Sequence, residues 1–237
     1  MISCSNQSFP LVIGHRGAKG YVAENTIPSI KKAIELGVDG VEIDVFKCAT
    51  GELVVFHDLM LDQLTDFKGY IEEMSLDSIK KARVLGSYTI PTLNEVMDLI
   101  DGRIILNIEL KGPQTALLTN DLLQDYFKKT SWNPSNIIIS SFNWNELVLF
   151  YNVNKEVPIA VLTDDDPLDA IPIAKKINAY SINPKYSLLT RKTSKKIHDE
   201  GIKLFPWTVN EPNDIGLMIS LGVEGIITDF PDRILKN

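Results

Sequence analysis

Three carboxylates, two cations and two imidazoles recur at spacings that suit a divalent cation and an anionic group bound beside it. In Val41-Glu42-Ile43-Asp44-Val45 the β-branched residues predict a strand. Alternation then puts Glu42 and Asp44 on one face and the apolar residues on the other. Two carboxylates buried side by side without partners are costly, and a hard cation with oxygen ligands resolves the conflict. Ile104–Lys111 repeats the pattern, with Asn107, Glu109 and Lys111 on one face. Glu42, Asp44 and Glu109 are therefore the expected metal ligands, and the oxygen set points to Mg²⁺ or Ca²⁺. Taken alone, Glu109 would also serve as a salt-bridge partner for Lys111.

Arg16 and Lys111 supply positive charge beside that site. Arg pairs with two phosphate oxygens at once, and Lys acts as a point charge. A metal flanked by such cations stabilises charge on a phosphoryl group in transfer. His15 and His57 each end an apolar run and are the expected acid–base pair, with the assignment between them open. Asn25 has the chemistry to donate to a phosphate or a metal-bound water, or simply to cap the helix that follows. Trp207 and Phe142 are candidate walls for a small alcohol, and His198 falls on the polar side of a late helix.

Elements that bring such residues together must be strands ending at one rim. Short apolar runs lie near residues 11, 41, 105, 137, 159, 180, 204 and 226, with helical stretches between consecutive pairs. Thr26 caps a helix with Pro28 in its first turn and Gly37 after its end. Thr92-x-x-Glu95 is a capping-box pattern opening a helix over Leu93–Ile100. Other helices are expected over Leu76–Val84, Pro113–Lys129, Trp144–Tyr151, Leu168–Ile177, Thr190–Glu200 and Pro212–Leu221, and the strand near 204 over Lys203–Val209. The run Leu53–Asp58 follows the Glu42 strand too closely for a parallel crossover, so it is expected as a hairpin arm. Eight βα repeats in 237 residues predict a TIM barrel, as one domain over residues 1–237, with an insertion at about 46–90 between strand 2 and helix 2. Barrel chemistry sits at the C-terminal ends of strands. His15, Arg16, Glu42, Asp44, Glu109, Lys111, Trp207 and Asp229 all fall there.

Composition narrows the partners. The chain has 24 basic and 31 acidic residues, a net charge of −7, and 44% apolar residues. That balance argues against nucleic acid or an anionic membrane as a partner and for a small molecule held by local cations. Cys4 and Cys48 suggest no disulfide framework, and neither a signal segment nor a long apolar run is seen. A cytoplasmic protein without stable membrane association is expected, and a homodimer is compatible with the sequence.

The motifs His15-Arg16-Gly17, Glu24-Asn25-Thr26, Glu42-x-Asp44, His57-Asp58, Glu109-x-Lys111, Pro206-Trp207-Thr208-Val209-Asn210 and Gly225–Pro231 occur in one order along nearly the whole chain. Together they resemble the bacterial glycerophosphodiester phosphodiesterase family. The resemblance implies a TIM barrel with a small insertion, and Mg²⁺- or Ca²⁺-assisted hydrolysis of glycerophosphodiesters such as glycerophosphocholine and glycerophosphoethanolamine. The products would be sn-glycerol 3-phosphate and an alcohol, placing the enzyme in glycerol and phospholipid metabolism. By motif, Glu42, Asp44 and Glu109 correspond to the metal ligands, His15 and His57 to the acid–base pair, and Arg16 and Lys111 to phosphate contacts. Two positions depart from the family pattern. Ala23 stands where Pro is common, and Asp62-Gln63-Leu64-Thr65 lacks the usual Arg. Lipid-cleaving phospholipase barrels, a non-catalytic barrel and a sugar-phosphate isomerase fit less well. The insertion has few apolar residues for a membrane, both histidines are present, and the last two loops are acidic.

Overall fold

A computed structural model describes residues 9–234. Cys4, and with it any statement about its pairing, lies outside the described residues. The parallel strands are β1 (Leu11–Gly14), β2 (Gly40–Lys47), β6 (Ile105–Leu110), β7 (Ile137–Ser141), β8 (Ile159–Thr163), β9 (Ser181–Pro184), β10 (Lys203–Leu204) and β11 (Gly225–Thr228). They neighbour one another in the order β10-β9-β8-β7-β6-β2-β1-β11. Backbone bonds from Glu224 to the Leu204 carbonyl (3.1 Å) and from Ile227 to the Pro206 carbonyl (3.0 Å) draw β11 towards β10, nearly closing the TIM barrel. Helices α1 (Ile27–Glu35), α3 (Leu93–Ile100), α4 (Thr115–Lys129), α5 (Trp144–Val153), α6 (Ile171–Lys176), α7 (Arg191–Asp199) and α8 (Pro212–Ser220) lie between them in the chain. None of the described helices is long and apolar enough to cross a membrane.

Alternation decides which side chains enter the ring. Val41, Ile43 and Val45 join the main core against the helices, together with Leu106, Ile108 and Leu110 of β6. The opposite faces turn inward. At one level inside the ring Ile13, Phe205 and Ile227 form a small apolar core, packed by Leu11, Tyr180 and Trp207. Glu42 is opposite Asn107, and Asp44 opposite Glu109. The carboxylates thus occupy adjacent inward positions on neighbouring strands, as the alternation predicts.

The caps predicted from sequence also form. The Thr26 side chain accepts from the Ser29 N–H, and Thr92 and Glu95 make the reciprocal capping box at α3. The run after β2 is β3 (Leu53–Val55), antiparallel to it with Val45 opposite Val55. From there to Ile90 the chain makes an excursion containing α2 (Leu76–Ile79) and the two-residue strands β4 (Arg83–Val84) and β5 (Tyr88–Thr89). It has its own core, in which Phe46, Phe56, Leu61, Ile71 and Ile79 are buried together.

Several element boundaries differ from the sequence expectation, and three of the differences have a visible cause. The helix expected over Leu76–Val84 stops at Ile79, because the Arg83 N–H is drawn to Asp66 (2.7 Å) and Arg83–Val84 pairs with β5 instead. The strand expected over Lys203–Val209 ends at Leu204, where Pro206 removes a ladder donor. The helix expected over Leu168–Ile177 begins as a 3₁₀ turn, Pro167–Ala170, and becomes α-helical from Ile171. Pro172 has no N–H and is tolerated only in that first helical turn.

Candidate active site

The loop after β1 sets the geometry at the C-terminal rim. Arg16 is held at φ 51°, a left-handed conformation unfavourable for a residue with a Cβ. In it the Arg16 N–H donates to Glu42 Oε2 at 2.9 Å. Gly17 follows at φ 86°, where any Cβ would lie 2.4 Å from Ser29 Oγ. That hydroxyl bridges the Arg16 carbonyl and the Ala18 N–H, both at 3.0 Å, so the start of α1 fastens the loop.

Glu42, Asp44 and Glu109 converge, each with a carboxylate oxygen within 4.8 Å of the others, and all three are buried. Burial, with Asp44 and Glu109 beside it, pushes Glu42 well above the usual carboxylate range. Burial and Asp44 raise Glu109 to about 7. Burial would raise Asp44 too, but the charges of Arg16 and Lys111 outweigh it and hold Asp44 below its ordinary value. Asp44 Oδ1 has no hydrogen-bond partner, although Lys111 Nζ stands 3.7 Å away. A buried all-oxygen set with an unpartnered carboxylate oxygen fits a hard divalent cation.

The cations are tied to the same carboxylates. Arg16 Nη1 donates to Glu24 (2.6 Å), and its Nε lies 3.3 Å from Asp44 Oδ2, close enough for an ion pair but misaligned for a hydrogen bond. Lys111 Nζ is 3.0 Å from Glu109, so the salt bridge considered from sequence is present, within the carboxylate cluster. Asn25, at φ 56°, donates to Asp44 Oδ2 at 2.8 Å and accepts from the Asp44 N–H at 3.3 Å. Its amide is thus engaged with the triad rather than lining the cavity.

The cavity is small, with a volume of about 130 Å³. His15, Arg16, Glu42, His57, Glu109, Phe142 and Trp207, all named from the sequence, line it. Asn107, Ser140, Leu162 and Ile227 complete it. Trp207 meets the Phe142 ring edge-on, with centroids 5.4 Å apart, and its indole N–H donates to the Asn183 carbonyl at 2.8 Å. His198 lies elsewhere, near Glu224.

Both cavity imidazoles are oriented by a carboxylate at Nδ1. His15 Nδ1 is 2.7 Å from Asp229, and His57 Nδ1 is 2.6 Å from Asp58. Asp229 is fixed in turn by Asn210, whose side chain donates to its carboxylate (2.8 Å) and accepts from its N–H (2.9 Å). Desolvation lowers His15 and His57 despite these carboxylates, so both tend to be neutral near pH 7. The sequence places Asp229 at a strand end, and nothing local pairs it with His15, 214 residues away. Residues Asn107 and Ser140 were also missed as cavity residues, although alternation from Glu109 puts Asn107 on the inward face.

Residues 15–233 match the Glycerophosphoryl diester phosphodiesterase family. A glycerophosphodiester phosphodiesterase of Caldanaerobacter subterraneus subsp. tengcongensis is 36% identical, over 95% of this chain and 96% of its own. One from Bacillus altitudinis is 32% identical, with 95% and 96% covered. Among solved structures, an Oleispira antarctica phosphodiesterase in complex with the product sn-glycerol-3-phosphate superposes with a TM-score of 0.87 at 27% identity, covering 95% of both chains.

Proposed function

The chain belongs to the glycerophosphoryl diester phosphodiesterase family and is a phosphoric diester hydrolase; from that premise we propose that it releases sn-glycerol 3-phosphate from glycerophosphodiesters of small alcohols, glycerophosphocholine and glycerophosphoethanolamine among them. The observation that carries this reading is the pair of carboxylate-anchored imidazoles facing one cavity beside the buried carboxylate triad. The product named for the Oleispira antarctica relative supports the choice of products.

Glu42, Asp44 and Glu109 would hold Mg²⁺ or Ca²⁺, and the bound cation would supply positive charge to neutralise the phosphoryl oxygens. Arg16 and Lys111 bind the remaining anionic charge and orient the diester. Asn25 keeps Asp44 turned towards the triad. With Nδ1 bonded to an aspartate, each histidine has Nε2 left for proton transfer. One imidazole takes the proton of the nucleophile, which is water or the neighbouring glycerol hydroxyl. The other, in its imidazolium form beside the bound anionic diester, delivers its Nε2 proton to the departing alkoxide as the P–O bond breaks. Attack by the glycerol hydroxyl passes through a cyclic phosphate that water then opens, and both routes give the same net hydrolysis. Trp207 and Phe142, which meet edge to face, wall the cavity for the small alcohol. These substrates and products would place the activity in glycerol and phospholipid metabolism.

The test is release of sn-glycerol 3-phosphate from glycerophosphocholine with Mg²⁺, with Ca²⁺ and with EDTA. Release in at least one metal and none in EDTA is expected. Absence of release from either diester with both metals would overturn the reading.

A further inference from the structure

The inner wall of the cavity carries two polar side chains that the mechanism leaves unused. Asn107 and Ser140 come from the neighbouring strands β6 and β7, with Ser140 opposite Glu109 and Asn107 two residues before it. Both side chains are buried, both line the cavity, and neither Asn107 Oδ1 nor Ser140 Oγ has a hydrogen-bond partner. Elsewhere this barrel satisfies such groups. Ser141 Oγ donates to the Leu110 carbonyl at 2.6 Å, and Ser181 Oγ to Asn183 at 2.7 Å. Among the described residues the other buried unpartnered hydroxyls, Thr119 and Ser194, lie on α4 and α7 and do not line this cavity. Two orphaned polar atoms on adjacent strands of one cavity are a built feature that awaits a partner.

Their chemistry restricts that partner. An amide oxygen only accepts, and a serine hydroxyl both donates and accepts. A second anionic group is disfavoured there, because Glu42 and Glu109 stand beside them. A neutral hydroxyl can donate to Asn107 Oδ1 and exchange a hydrogen bond with Ser140. Phe142, Leu162, Trp207 and Ile227 give the same cavity an apolar wall. A short polyol has hydroxyls along one edge and carbon along the other, matching the two kinds of lining.

We infer that Asn107 and Ser140 form a hydroxyl-reading subsite that holds the glycerol half of the substrate and rejects alkyl phosphates of similar size. The inference rests on the hydrolytic reading proposed above, and adds to it the residues that distinguish glycerol from a plain alkyl chain.

The test compares binding of sn-glycerol 3-phosphate, n-propyl phosphate and inorganic phosphate to the full chain saturated with Mg²⁺, by calorimetry. The wild-type protein, Ser140→Ala and Asn107→Leu are measured side by side. The wild type should prefer glycerol 3-phosphate over propyl phosphate by about tenfold or more, since the hydroxyl-free ligand leaves the buried groups unpaired. Each substitution should cut that preference by about fivefold, one neutral hydrogen bond, while inorganic phosphate binds unchanged. An undiminished preference in Ser140→Ala would overturn the inference, as would a wild type with no preference. Thermal melting reports whether Asn107→Leu folds, and Ser140→Ala decides the matter if it does not. The two readings fail separately. Diester hydrolysis with an unchanged ligand preference removes the subsite alone. Loss of the preference in the variants, without hydrolysis of any glycerophosphodiester by the wild type, removes the hydrolytic reading alone.

Discussion

The two cavity histidines make the same contact by different means. His15 leaves barrel strand β1, and its partner Asp229 follows β11, 214 residues later in the chain. Asn210 clamps that aspartate from a third segment, and the side chains of His15 and Asp229 are only 13% and 17% exposed. His57 leaves the excursion, its partner is the next residue, and the two are 30% and 33% exposed. One pair is assembled by closure of the barrel, the other by local chain geometry. The lesson is that equal hydrogen-bond lengths conceal unequal dependence on the fold. Substitutions should therefore affect the two sides unequally once they reach past the imidazoles.

At the imidazoles themselves no inequality is expected. His15→Ala and His57→Ala should each lower kcat on glycerophosphocholine by about 10²–10⁴-fold in saturating metal, as loss of a general acid or base does. The double variant should fall little further than the worse single one, because the two act in one step. A His57→Ala enzyme with wild-type kcat would remove the excursion from the chemistry and break the comparison at its root.

The next effect sets the histidines against the carboxylates in metal-free protein. Glu109 is raised by burial and Asp44 to about 7, above its unfolded value. Its stabilising contribution is complete below about pH 4.5 and is lost as pH rises to about 7. The histidines, depressed by burial, act in the opposite sense, costing stability as pH falls below about 6.5. Subtracting Glu109→Gln isolates the carboxylate. In EDTA the wild type should lose about 3 kcal/mol relative to that variant between pH 4.5 and 8, about 6–12 °C in Tm. Metal should abolish the loss by replacing the proton with a cation. A difference in Tm that stays flat with pH would mean that Glu109 titrates normally.

Past the imidazoles, the asymmetry should emerge. Asp229→Asn should cost about 10–100-fold in kcat, the usual range for a residue that orients another from behind. Asp58→Asn should cost less than about tenfold, because water reaches that pair and can replace part of the contact. The carboxylate of Asp229 raises the His15 pKa against the pull of burial, so its loss should move the His15 limb of the pH–rate profile to lower pH. Equal losses with unmoved limbs would mean that burial does not separate the two pairs.

That asymmetry is also the boundary of what could be read from sequence. Strand alternation alone brought out Glu42, Asp44, Glu109 and Lys111, because a period of two is local information. His57-Asp58 is equally local. The eight strands were legible from apolar runs, whereas the exact end of β10 and the truncated α2 were not, since Pro206 and the Asp66 contact act against the local pattern. Asp229 could be placed at a strand end but not against His15, because only the β1–β11 pairing makes them neighbours. Asn25 was legible as a site residue but its aim was not. Its left-handed backbone and its bonds to Asp44 follow from how the β1–α1 loop returns across β2.

The smallest effect is the control. The third histidine, His198, also faces a carboxylate, with Nε2 3.3 Å from Glu224 and the two side chains 30% and 36% exposed. By partner type alone it resembles the other two, and by exposure it matches His57. It differs in position: it lies on α7, and Glu224 is occupied with the Leu204 N–H at 2.8 Å. His198→Ala should leave kcat within twofold and lower Tm by no more than about 2–4 °C, the value of one partly exposed ion pair. A loss of kcat comparable to that of Asp58→Asn would undo the argument that position at the strand ends, rather than pairing with a carboxylate, separates the two cavity histidines from His198.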